Sequence, residues 1–550
     1  MLTLLKGARL FDPVNGIRGE VGDIWVDGTH ICPPPSEPSH ADRTIDLSGR
    51  VLMAGAIDIH SHIAGGNVNT ARVLMPEQHL ANARRYATLP FSGAKWSAAD
   101  TGYRYAEMGF TTVVEPAVLP LNAAQVHAEL ADIPIIDKAG LAILGNDDLL
   151  LRMLRDGAEQ ASINDYVAWT LHATRCLGLK VINAGGATAF KFNARTFGLD
   201  DEVPMYGMTS RQILMALQRA VHQLGVPHPL HVHCSNLGVA GNVQTALDTI
   251  DAADGLPMHL AHVQFYGYGD EGERGFSSGA AALTDAVNKH PNISVDVGQV
   301  LFGQTVTISG DVLRQFAARG IARPKKVVVW EAEDGGGGVV PFRYRHRNFV
   351  NALQWAIGLE IFLLIDDPWR VFFTTDHPNG APFTAYPELF RLLMDKDYRA
   401  EWLTRINPAA AEATLLRHLD REYDLYDIAT MTRAAPARLL GLPDRGHLAP
   451  GAIADISVYS EQDDKAAMFR AADLVLKAGQ IVVKQGRVVA TPAGRTHAVA
   501  PAFDRGIERP IGDYFDRYHL VRMDHYAMRA PGLAETLGAD LVLQDGRQAA

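Results

Sequence analysis

The sequence predicts an α/β protein: a (β/α)8 barrel of TIM type, with a small composite β-domain built from both ends of the chain. Three observations predict it. Between about residues 51 and 445, apolar strand-like runs alternate with helical stretches, eight times over. Metal-ligand-type side chains fall at the C-terminal ends of several of those runs, the face on which such barrels carry their chemistry. Short β-rich segments with turn signals flank the span on both sides.

The first part of the β-domain is expected over residues 1–50. Leu2–Leu10 and Gly22–Val26 are β-rich and are bounded by Asp12-Pro13-Val14-Asn15-Gly16 and Asp27-Gly28. The barrel follows over 51–445. Its eight candidate strands are Ala56–Ile59, Thr111–Val114, Ala142–Leu144, Lys180–Ile182, Leu230–His233, His259–Val263, Ile293–Val297 and Val371–Thr374. Arg211–Gln223 and Ala280–Asn288 are helical stretches between them. The span is longer than the roughly 250 residues such a barrel needs, so long βα insertions are expected. The glycine run Gly335–Gly338 lies in one of those loops. The β-domain resumes over 446–500 with Ala454–Tyr459, Ile481–Val483 and Arg487–Val489, and a C-terminal extension covers 501–550.

Composition excludes several function classes. Lys+Arg 51 against Asp+Glu 62 gives a net charge of −11, which disfavours sequence-independent nucleic-acid binding. The cysteines, Cys32, Cys176 and Cys234, are too far apart for a disulfide framework, and no CxxC pair offers a zinc knuckle. The N-terminus lacks the apolar core and cleavage site of a signal peptide. The most apolar stretch, Ile357–Ile365, is interrupted by Glu360 and falls short of the ~20 residues that span a bilayer. A cytoplasmic enzyme that neither crosses a membrane nor binds nucleic acid is expected.

The chemistry-bearing residues come in four groups. In Asp58-Ile59-His60-Ser61-His62, the period-two rule puts His60 and His62 on one face, where two imidazoles can chelate a divalent metal. In His231-Val232-His233, His233 is nearer the strand's C-terminal end and is the metal candidate, whereas His231 is expected to pack beneath it. In His259-Leu260-Ala261-His262, His262 is at the strand end and His259 falls out of register with it. Asp376, closing Phe372-Phe373-Thr374-Thr375, is suited to metal ligation and proton transfer, or to capping the loop that follows. A lysine carbamylated by CO2 could bridge two cations. Lys180 and Lys191 are both candidates, and spacing alone does not decide between them.

Singly these signals are weak, but their order is not: His-x-His on strand one, Lys on four, His on five, His on six, Asp on eight. That order resembles the amidohydrolase superfamily. The return Pro436-Ala437-Arg438-Leu439-Leu440-Gly441, then Gly451-Ala452-Ile453-Ala454-Asp455-Ile456, is similar to the superfamily's passage from barrel to β-domain. Longer words narrow the resemblance. Ser61-His62-Ile63-Ala64-Gly65, Thr101-Gly102-Tyr103-Arg104-Tyr105-Ala106, Val297-Gly298-Gln299, Gln354-Trp355-Ala356-Ile357-Gly358 and Phe362-Leu363-Leu364-Ile365-Asp366 resemble the A-type subunits of formylmethanofuran dehydrogenase and of its bacterial counterpart, the formyltransferase/hydrolase complex. The similarity runs from about residue 5 to 490.

The resemblance implies that Gly178-Leu179-Lys180-Val181-Ile182-Asn183 holds the modified lysine, favouring Lys180. It implies two divalent metal ions, expected to be zinc, sharing carboxylated Lys180: His60, His62 and Asp376 on one, His233 and His262 on the other. It implies hydrolysis of an N-formylated methanofuran-type coenzyme to formate and free amine, with Asp376 as general base and then general acid. The implied partners are the B-type and C-type subunits and the formyltransferase, D-type, subunit. The Ala- and Arg-rich composition favours the bacterial complex. Two other readings compete: a cyclic amidase of dihydropyrimidinase or dihydroorotase type, and a metal-free scaffold subunit.

Overall fold

Eight short strands follow one another in chain order and pair in parallel: β1 (Ala56–Asp58), β2 (Phe110–Val118), β3 (Asp137–Leu144), β4 (Gly178–Ile182), β5 (Leu230–His233), β6 (Met258–Leu260), β7 (Ile293–Asp296) and β8 (Val371–Phe372). The computed structural model describes residues 1–36, 41–74, 97–192, 194, 196–308, 330–332, 337–528 and 540–546. The strands are buried on both faces, as expected where helices cover a parallel sheet; Leu179, Val181, Leu230 and Val295 have no exposed surface. A parallel bridge between Ser61 and His377, with His62 N–H donating to the His377 carbonyl at 2.9 Å, joins the loop after β8 to the end of β1.

Register decides what shares the interior. Across β4, β5, β6 and β7, Lys180, His231, His259 and Ser294 stand opposite one another in a single row. His233 lies two residues further along β5, on the same face by the period-two rule.

Two strands end earlier than the sequence predicts. β6 stops at Leu260 rather than Val263, and β8 at Phe372 rather than Thr374. The backbone turns left-handed at His262 (φ 35) and Asp376 (φ 48), which is incompatible with continued pairing. His262 and Asp376 therefore sit on the loops just past their strands. The apolar stretch 357–365 belongs mostly to helix Phe349–Leu364, buried nearly all round. Its Glu360 accepts the Leu415 N–H at 2.7 Å and the Thr414 and Ser278 hydroxyls. No helix of the described residues is long and apolar enough to cross a membrane.

The other large sheet draws on both ends of the chain. Its order is Arg487–Val488, Gln480–Lys484, Leu474–Lys477, Ile456–Ser460, Arg50–Ala54, Leu2–Asp12, Ile17–Asp27, His30–Cys32, with Arg43–Asp46 also on Leu2–Asp12. Leu5, Leu52, Ile456 and Val458 form part of its own apolar core. Where it meets the barrel, a buried carboxylate gathers two cations: Asp137 on β3 lies 2.7 Å from Arg445 and 2.8 Å from Lys477. The strand Arg495–Val499 pairs in parallel with β3, and Asp540–Gln544 extends that ladder. An antiparallel ribbon, Gly303–Thr307 with Gly337–Tyr344, occupies the long insertion between β7 and β8. Of the glycine run, Gly335 and Gly336 lie outside the described residues, while Gly337 and Gly338 open a ribbon strand.

Candidate active site

The His-x-His word lies immediately after β1, where alternate residues share a face. Both rings reach the same carboxylate: Asp376 Oδ1 is 3.1 Å from His60 Nε2 and 3.3 Å from His62 Nε2. Among the described residues, neither oxygen of this buried Asp376 accepts a hydrogen bond of good geometry. That removes the loop-capping alternative, which needs a backbone N–H on a side-chain oxygen.

The other sequence candidates converge on the same place. Lys180 Nζ lies 3.4 Å from His60 Nε2. His233 Nδ1 and His262 Nε2 are 3.0 Å apart, and the His60 and His262 ring centroids are 5.1 Å apart. The structure thus brings together His60, His62, Lys180, His233, His262 and Asp376. Lys191 closes the short helix Gly186–Lys191 on the loop after β4, not on the strand. His231 and His259 lie beneath the group, in the row that holds Lys180.

Close packing fixes the loop residues. Gly298 (φ 66) lies where a Cβ would meet His262 Cβ at 2.4 Å and Asp376 Cβ at 3.5 Å, so only a glycine lets the loops after β6, β7 and β8 approach this closely. Tyr266 lies flat against His262 (centroids 5.6 Å apart, 29° between planes) and edge-on to His233. The ribbon roofs the loop after Asp376: Asn379 Oδ1 accepts the Ile308 N–H at 2.6 Å and the Thr307 hydroxyl at 3.2 Å.

Sequence reasoning missed the carboxylates that hold these side chains. Glu115 on β2 meets His62 Nδ1 at 3.0 Å with one oxygen, and its other oxygen accepts the Ile63 and Ala64 N–H groups at 2.6 and 3.0 Å. Asp58 accepts the His60 N–H at 3.0 Å and the hydroxyls of Tyr105 and Tyr386 at 2.7 and 2.6 Å. Asp296 on β7 contacts His60, His259, the His262 N–H and Thr374. Glu115 and Asp296 are single acids inside apolar runs, with no partner near in sequence. Only their place at a barrel strand's C-terminal end could have flagged them.

The electrostatics suit a cation. Burial works to raise the Asp376 pKa, but His262 and His60 outweigh it and hold the carboxyl well below its usual range, so it is an anion at neutral pH. Burial drives the His262 ring well below its ordinary value, leaving a neutral imidazole with a nitrogen lone pair. For His62 burial opposes, but Glu115 and Asp376 prevail and raise its pKa to about 9, so a cation would displace a proton there. Burial pushes the Lys180 ammonium down, toward the neutral amine that reacts with CO2, against the pull of Asp376, Asp296 and Glu115.

The ligand atoms of His60, His62 and Asp376 lie within 4.8 Å of one another, as do those of His60, His231 and Asp296. Only the first set leaves its carboxylate without hydrogen bonds; Asp296 already accepts them on both oxygens. Imidazole nitrogens around a bare buried carboxylate fit a divalent cation.

The Amidohydrolase family model matches residues 43–490. The chain belongs to the amidohydrolase family. This amidohydrolase is 47% identical over 544 residues, 98% of both chains, to the A-type subunit of the formyltransferase/hydrolase complex Fhc of Methylorubrum extorquens. It is 38% identical to Protein FwdA of Methanocaldococcus jannaschii, covering 95% of this chain and 96% of that one. Its structure superposes with TM-score 0.93 on a chain of the crystallised FhcABCD complex of M. extorquens with methylofuran, at 47% identity over 99% of this chain and 100% of the other. A TM-score of 0.53 at 18% identity, covering 91% of this chain and 99% of the other, relates its fold to the N-acyl-D-glutamate deacylase of Bordetella bronchiseptica.

Proposed function

We propose that this chain is the hydrolase subunit of a formyltransferase/hydrolase complex, cleaving the N-formyl group of a methylofuran-type coenzyme to formate and free amine. The observation that carries the reading is the match, along nearly the whole chain, to one component of a complex crystallised with methylofuran. Its partners are then the other subunits of such a complex.

His60, His62 and Asp376 would hold one divalent cation, with zinc our choice, and His233 and His262 a second. Carboxylated Lys180 would supply both with an anionic ligand. Carbamylation needs no further reagent: the neutral Lys180 amine adds to CO2 and loses one proton, giving an anionic carbamate. Such cations supply Lewis acidity toward the formyl oxygen and lower the pKa of a water. Asp376, ionised and free of hydrogen bonds, takes the proton of the attacking water and delivers it to the departing nitrogen. An unprotonated amine is a poor leaving group, so the second transfer matters as much as the first. Glu115 holds His62 in place, and Tyr266 walls the site beside His233 and His262. The test is formate release from N-formylated coenzyme by the purified complex. Release above the uncatalysed rate is expected; cleavage of a cyclic amide in its place would overturn the reading.

A further inference from the structure

Asp296 is wholly buried and belongs to none of the six proposed ligand residues. We propose that it is a positioning residue: it fixes the His60 proton on Nδ1, so that Nε2 presents a bare lone pair to the cation. The assignment rests on the reading of His60 as a cation ligand given above.

The hydrogen-bond network permits one proton arrangement. Asp296 Oδ1 accepts the His262 backbone N–H at 2.9 Å and the Thr374 hydroxyl at 2.6 Å. That hydroxyl is itself oriented, because its oxygen accepts the Gly298 N–H at 2.9 Å. Asp296 Oδ2 lies 3.1 Å from both His60 Nδ1 and His259 Nε2. An ionised carboxylate only accepts, so both nitrogens carry the hydrogen. His259 Nδ1 then accepts from the Ser294 hydroxyl at 2.9 Å. His231 Nε2, 2.9 Å from His60 Nδ1, becomes a second acceptor of the same proton, and His231 Nδ1 donates to His228 Nε2 at 3.0 Å.

With its proton on Nδ1, His60 turns an unprotonated Nε2 toward the anionic Asp376 oxygen at 3.1 Å. Two lone-pair atoms at that distance repel unless a cation lies between them.

An isosteric change exposes the role. In Asp296→Asn the His262 backbone N–H cannot reverse, so the amide oxygen must face it and the NH2 must face His60 and His259. His259 can adapt, because Ser294 can accept as well as donate. His60 cannot. Either its Nδ1–H is pressed against an N–H, or the proton moves to Nε2 and points into the cation site.

The experiment uses the whole complex, stripped of metal and titrated with Co2+. Affinity is read by chelator competition, geometry by the visible ligand-field spectrum, and fold by the unfolding temperature of the metal-free complex. Asp296→Asn is expected to lose 10- to 100-fold in Co2+ affinity with an altered spectrum. Asp296→Glu, which keeps an acceptor, should recover part of the affinity. Thr374→Val removes a hydrogen bond to the same carboxylate without touching the tautomer, and should lower the unfolding temperature while keeping parental Co2+ affinity. The proposal is overturned if Asp296→Asn binds Co2+ as the parent does, or if Thr374→Val loses affinity equally, which would make Asp296 a mere tie between strands. A parent that takes up no Co2+ would overturn the reading of the whole site, a result distinct from a binding parent with an indifferent Asn variant.

Discussion

Replacing Asp376 by Asn changes one oxygen to an NH2 and almost nothing else. The residue sits at φ 48, a region that Asn tolerates better than most side chains, and the turn it starts is held by backbone, with the Asn379 N–H donating to the Asp376 carbonyl at 2.6 Å. Among the described residues no hydrogen bond of good geometry reaches this side chain, so none is lost. What disappears is the anion that His60 and His62 face at 3.1 and 3.3 Å, and with it both proton transfers. General acid–base catalysis contributes on the order of 10²–10⁴-fold, or about 3–5 kcal/mol of transition-state stabilisation. The expected result is a fall of at least that size in kcat, with substrate KM little changed. Steady-state formate release at matched metal content measures it. Activity within a few-fold of the parent would refute the role of Asp376, and a loss wholly restored by excess metal would reduce it to a ligand.

Three further outcomes follow from the same geometry. Lys180→Ala should lose metal affinity and activity together while Lys191→Ala retains both; a carbamate seen in electron density at 191 rather than 180 would contradict this. Gly298→Ala should cut activity at least tenfold through displacement of His262, since the added Cβ would lie 2.4 Å from that side chain; overpacking typically costs about 1–3 kcal/mol, measurable by denaturant unfolding. Asp137→Asn should destabilise the joint between barrel and β-domain by about 1–3 kcal/mol, because Arg445 and Lys477 lose one buried carboxylate while keeping Asp444 and Asp455. Despite burial, Lys477 and Arg445 hold the Asp137 carboxyl well below its usual range. Its stabilisation is therefore present above the unfolded-state value near about 3.9 and lost as pH falls toward the folded value, so the parent should show a steeper acid loss of stability than the variant.

Much of the barrel was legible because its strands are near-continuous apolar runs, and parallel strands covered by helices must be. Five of the site candidates stood out for a different reason, as His and Asp where apolar runs end, whereas Lys180, in the middle of β4, was singled out from Lys191 only by the family resemblance. The strand ends themselves misled. β6 stops two residues before the left-handed His262 and β8 four residues before the left-handed Asp376, which no side-chain pattern announces. Glu115 and Asp296 escaped notice because their partners are remote in sequence: Glu115 meets His62 across 53 residues and Asp296 meets His60 across 236. The ribbon Gly303–Thr307 with Gly337–Tyr344 left little trace, since its pairing is set by the loop it covers rather than by an amphipathic repeat. The pairing of Arg495–Val499 with β3 was equally hidden, in a segment the sequence assigns to the β-domain.

Formate release by the metal-stripped and reconstituted complex tests most directly the proposal that these six residues hold cations and hydrolyse an N-formylated amine. With an N-formylated methylofuran-type coenzyme as substrate, the account predicts no turnover after chelation, recovery on adding back Zn2+, and no recovery in a His60→Ala or His233→Ala complex that still assembles. Undiminished formate release from the fully chelated complex, or from the assembled His60→Ala variant, would contradict it.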